Sequence, residues 1–108
     1  MATFEKETVF SLEDVIEYTQ GGVISKQITK SKAGNITLFS FDKEQGLSEH
    51  TAAYDAFAQI LDGETEITIN GNLYHLKKGE SIIMPANMPH SLKATERFKM
   101  LLTMIKNE

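Results

Sequence analysis

Apolar and polar residues alternate with a two-residue period along most of the chain beyond residue 34. "NITLFSF" (residues 35–41) sets Ile36 and Leu38 against Thr37, Phe39 and Phe41. "ETEITIN" (64–70) puts Ile67 and Ile69 on one face and Glu64, Glu66 and Thr68 on the other. Alternation of this kind marks half-buried strands. Asn70-Gly71 predicts a hairpin turn, because both residues tolerate positive φ. "LYHL" returns from that turn and "KKGE" (77–80) makes another. "SIIM" leads into "PANMPH", a loop stiffened by Pro85 and Pro89, and "RFKMLLTMI" (97–105) supplies the last strand. Short strands with closely spaced turn signals predict an all-β barrel or sandwich.

Before residue 34 the pattern changes. "FSLEDVIEY" carries the marks of a short helix: Ser11 as N-cap and Asp14 as its acidic partner three residues on. Phe10 and Val15 stand where a hydrophobic staple forms, Leu12, Val15 and Ile16 share one face, and Gly21-Gly22 ends the element. The expected organisation is one domain. Residues 1–34 form an N-terminal extension with a short helix packed on the barrel, and residues 35–108 form the barrel itself.

Composition agrees with that picture. The chain has 108 residues, enough for one compact domain with its own core. Hydrophobic residues make up 41% and charged residues 24%, ordinary globular values. There are no cysteines, so disulfides and thiolate metal sites are excluded. The formal net charge is -4 with lysines and acids interspersed, which argues against nucleic acid as a partner. No run is long enough to span a membrane, and no signal peptide precedes the first strand. The expected location is cytoplasmic.

Candidate chemistry gathers in two segments. "GESIIMPANMPHSLKA" contains Gly79, Pro85 and His90, with Asn87 and Ala94 in between and after. "HTAAYDAFAQILDG" runs from His50 to Gly63. Together they resemble the two motifs of the cupins. The second cupin motif is Gly-x5-Pro-x-Gly-x2-His-x3-Asn, and here Asn87 replaces the middle glycine while Ala94 replaces the final Asn. Counting back from Gly63, the first motif's glutamate falls at Ala56 and its two histidines at Ala52 and His50; Gly46 lies two residues too close. The resemblance covers roughly residues 35–105, and "GLSEHTA", "EITI", "IIMPANMPH" and "FKMLLTMI" are similar to a group of small bacterial cupins.

The resemblance implies a double-stranded β-helix, or jelly roll, whose metal, when present, is held inside the barrel by three histidines and a glutamate. The carry-over to this chain is limited to His50 and His90. Asp55 stands one residue from the glutamate position, which in a strand is the opposite face. His75, outside both motifs, reads as a surface or structural residue. The expected cofactor is a divalent transition metal on the two histidines, with a metal-free barrel as the alternative. Pocket walls are expected from Ala52, Ala56, Ala58, Ile60, Met84, Met88 and Met100, suited to a small organic ligand.

Phe98, Met100, Leu102 and Met104 share one face of the last strand, with Leu101 and Ile105 opposite. Phe57 and Leu61 point away from Ala56, and large apolar residues on a second face need a cover. A homodimer through sheet faces including Phe57 and Leu61 is therefore expected. Three functions remain open: a metal-dependent enzyme (dioxygenase, isomerase or decarboxylase), a metal-free module that binds or senses a small metabolite, and an interaction protein that kept only the fold.

Overall fold

The computed structural model describes residues 4–106. Its strands are β1 (Val23–Ser31), β2 (Gly34–Phe41), β3 (Gly46–His50), β4 (Tyr54–Ile69), β5 (Asn72–Lys77), β6 (Ser81–Met84), β7 (His90–Lys93) and β8 (Phe98–Lys106). Every pairing is antiparallel. One layer runs β1-β2-β8-β4-β6 and the other β5-β4-β7-β3. The architecture is all-β, as the alternating pattern predicts, and it is the jelly roll that the resemblance implies. Among the described residues no helix is long and apolar enough to cross a membrane.

Strand β4 joins the two layers. Residues before Gly63 pair with β6 and β8; residues after it pair with β5 and β7. At the crossing Gly63 has φ 76°, and a Cβ there would lie 1.8 Å from the carbonyl oxygen of Arg97. Only glycine fits so close an approach at a left-handed φ. The hairpin after β4 also follows its sequence signal: Asn70 and Gly71 have φ 49° and 83°.

The core lies between the layers. Phe41, Ala56, Ala58, Ile60, Ile67, Met84, Phe98 and Met100 are all within it, fully or almost fully buried. Alternation along β4 produces this directly: Ala56, Ala58 and Ile60 face inward from one layer, Thr65, Ile67 and Ile69 from the other. Near the Gly63 crossing Phe41 and Phe98 stack with ring centroids 4.5 Å apart at 8°. Phe39 packs against Phe41 at 5.7 Å.

The N-terminal helix does not form. Ser11 does start a turn, its carbonyl accepting from the N–H groups of Asp14 and Val15 at 3.0 and 3.1 Å. The next carbonyls go elsewhere. Lys99 Nζ donates to Glu13 O at 2.5 Å, Lys26 Nζ to Val15 O at 2.6 Å, and Ser40 Oγ to Glu17 O at 2.7 Å. These side-chain donors replace the helix's own N–H groups. The segment is thus an irregular strap across the outside of the first layer, with Ile16 only 1% exposed. Tyr18 ends the strap, donating to Asp62 Oδ2 at 2.5 Å beneath the Arg97 guanidinium, 4.4 Å above its ring. Burial, reinforced by the Asp62 bond, holds the Tyr18 phenol well above its ordinary range. Beyond the strap, β1 pairs with β2 as part of the sheet.

The strap covers only part of the outer face. Phe57 opposes Ile83 on one side and Thr103 on the other, and Asp55 opposes Ile105. Phe57, Ile83 and Ile105 are 36%, 62% and 59% exposed, while Leu61 and Leu101 are half-buried.

Candidate functional site

The two motif histidines meet. In the ladder between β3 and β7 His50 lies directly opposite His90, after an irregularity between Leu47 and His50. Their rings touch edge to face, with centroids 4.4 Å apart. On its other side His90 opposes Ile69, the last residue of β4. The pair therefore sits at the end of the barrel opposite the Gly63 crossing. Ala56 and Met84, opposite each other in the first layer, lie toward that same end.

The loop before His90 is fixed from both sides. Asn87 adopts φ 65°, as its replacement of a motif glycine requires. Its N–H donates to Ala52 O at 2.7 Å, Ala86 N–H to Asp55 Oδ1 at 2.8 Å, and Asn70 N–H to Pro89 O at 2.8 Å. Ala52 thus contributes its backbone, and Asp55 is occupied as a cap on the outer side of β4.

Each imidazole is oriented by a carbonyl two residues earlier. Nδ1 of His50 bonds Ser48 O at 2.7 Å and Nδ1 of His90 bonds Met88 O at 3.1 Å. A carbonyl only accepts, so both Nδ1 atoms carry a proton, and in the neutral rings both Nε2 atoms present lone pairs. Neither Nε2 has a hydrogen-bond partner among the described residues. His50 is exposed. His90 is only 6% exposed. Burial pushes the His90 imidazole below its usual range; the Met88 bond works against this and the neighbouring His50 adds to it. His90 is accordingly neutral at neutral pH.

The residues do not make a four-ligand metal site. Positions 52 and 56 carry alanine, and Asp55 is engaged with Ala86. Among the described residues no three His, Cys, Asp or Glu side chains are grouped to hold a metal ion. Two imidazoles are one or two ligands short of a durable site.

The expected wall residues separate into groups. Ala56, Ala58, Ile60, Met84 and Met100 are buried in the core. Ala52 is half-buried, and Met88 is 40% exposed, acting through its carbonyl. His75 lies on the exposed side of β5, 3.0 Å from Glu64. Ser48 and Met88, the residues that orient the histidines, carry no signal in the sequence because they act through backbone oxygen. Three grooves of ≈ 440, ≈ 560 and ≈ 260 Å³ lie along residues 4–10 and β1, along β5 and β6, and beside the β1–β2 hairpin; the histidine pair belongs to none of these.

Known proteins share this architecture. The family model described as "Cupin domain" matches residues 37–106. A conserved protein of unknown function from Streptococcus pyogenes superposes with a TM-score of 0.91 at 36% identity, covering 100% of this chain and 97% of that one. A cupin 2 conserved barrel domain protein from Leptotrichia buccalis gives 0.87 at 41% identity, over 90% of this chain and 47% of that one. The HTH-type transcriptional regulator PuuR of Escherichia coli is 29% identical over 97 residues, which is 84% of this chain and 51% of the regulator. The chain spans about half the length of the curated regulators it matches.

Proposed function

The chain belongs to the cupin-domain family, and from that premise we propose that it is a small-molecule binding module whose polar contacts are His50 and His90. The observation that carries this reading is the pair of adjacent imidazoles, each tied by Nδ1 to a backbone carbonyl and each with an Nε2 that no described residue engages. Orienting contacts of this kind fix a ring for recognition. Among the described residues no three His, Cys, Asp or Glu side chains are grouped to hold a metal ion, which supports binding over metal-dependent turnover as the output. Similarity to half of a transcriptional regulator supports the same reading, since a domain of this kind serves there within a regulatory protein.

Copies are proposed to pair through the uncovered outer face around Phe57, Ile83 and Ile105, which burial in a homodimer would remove from water.

The test is a thermal-shift screen of small metabolites on the protein and on a His50→Ala/His90→Ala variant, with elemental analysis of both. A ligand at a hundred times its Kd stabilises the folded state by about 2.7 kcal/mol. The expected result is a ligand whose stabilisation disappears in the variant, with metal well below one equivalent. No stabilising ligand, or one equivalent of metal lost in the variant, would overturn the reading.

A further inference from the structure

The state of the two imidazoles selects the chemistry of the ligand, an inference that rests on the binding reading above. Both Nδ1–H groups are spent on Ser48 O and Met88 O at 2.7 and 3.1 Å. What the pair offers outward is two hydrogen-bond acceptors side by side, on rings whose centroids are 4.4 Å apart. An acceptor pair cannot bond a carboxylate or phosphate, which are acceptors themselves, without giving up its tautomers or taking on charge. It can accept from a hydroxyl or an ammonium group. No lysine or arginine joins the pair through any ion pair, hydrogen bond or ring contact of the described residues. Toward the same end of the barrel Ile69, Ala56, Met84 and Met104 are apolar, while Asn35, opposite Met104 and accepting from Thr37 Oγ1 at 3.2 Å, is polar.

We propose that the His50–His90 pair recognises a small molecule presenting hydrogen-bond donors, a primary ammonium or a 1,2-diol, on a short apolar stem. Alcohol and amine share the donor chemistry, and anionic metabolites of the same size are discriminated against. A site built to accept loses strongly when the ligand brings no donor, because its polar atoms are left facing an acceptor.

Long-range 1H–15N correlation spectra of the imidazoles test this at slightly alkaline pH. The free protein is expected to show both rings protonated at Nδ1. Hexan-1-amine, hexane-1,2-diol and hexanoate are then titrated separately. The amine or the diol is expected to shift both Nε2 resonances, and which of the two does so identifies the donor. Hexanoate is expected to bind at least about tenfold more weakly. In His50→Ala, an exposed substitution that leaves the fold intact, the remaining His90 shift should weaken by a similar factor. Protonation at Nε2 in the free protein, or hexanoate binding as well as the donors, overturns the donor assignment and leaves the binding module standing. No ring response to any of the three overturns both.

Discussion

Near the Gly63 crossing, Phe41 and Phe98 stack at 4.5 Å and β4 passes within van der Waals reach of the Arg97 carbonyl. At the opposite end His50 and His90 meet at 4.4 Å, each ring with a nitrogen that no described residue engages. Both ends are aromatic contacts between facing strands, yet their chemistry differs completely. The first is a packed apolar contact, with one buried oxygen beside it, Thr95 Oγ1, unpaired among the described residues. The second orients each ring through a single carbonyl and leaves two polar atoms that no described residue engages. If the histidine end is the binding site proposed above, substitutions at the two ends should separate stability from recognition.

The largest effect is expected from Gly63→Val. Its side chain would meet Arg97 O at a left-handed φ, and a loss of more than about 4 kcal/mol should appear as unfolded or insoluble protein. A soluble variant with a wild-type urea midpoint would show that the crossing is not rigid. Phe98→Ala follows, at about 3–5 kcal/mol by urea denaturation, because it empties half of the stack. Tyr18→Phe removes only the hydroxyl bond to Asp62 from the strap, and about 1 kcal/mol is expected. A null result would mean that the Tyr18 hydroxyl adds nothing to the lysine, Ser40 and Ile16 contacts that hold the strap.

At the histidine end the effects on stability are smaller. The folded state holds the His90 pKa below the ordinary 6.5, so the unfolded chain takes the proton first as pH falls. The contribution is fully present above the unfolded pKa and is lost below it, down to the folded pKa. Urea midpoints should therefore decline more steeply within that range in the wild type than in His90→Gln; parallel curves would contradict the assignment. His50→Ala should change stability least, within about 0.5 kcal/mol, while weakening ligand binding. A large destabilisation would erase the contrast between the two ends.

Much of this was legible in the chain itself. The alternation in "ETEITIN", the Asn70-Gly71 turn and the spacing of Gly79, Pro85 and His90 each report a local backbone requirement, and the structure satisfies each as expected. The helix at Ser11 is the instructive failure. Its cap signal is real and produces one turn, but Lys26, Lys99 and Ser40 are far away in sequence and outcompete the next turns for the same carbonyls. The meeting of His50 and His90 follows from motif spacing; the carbonyls of Ser48 and Met88 that set their tautomers do not, since every residue type has one.

Strand β8 is hydrogen-bonded to β2 along one edge and to β4 along the other. During synthesis it leaves the ribosome after all seven other strands. Until then β2 has only β1 beside it, and the first half of β4 has only β6. The sheet thus stays open, with its apolar inner face accessible, while most of the chain is already made. Such late, non-local closure makes for slow folding and a period of exposure to aggregation. The yield of this protein in the cell should depend on what shields that unfinished sheet as much as on the strength of the finished one.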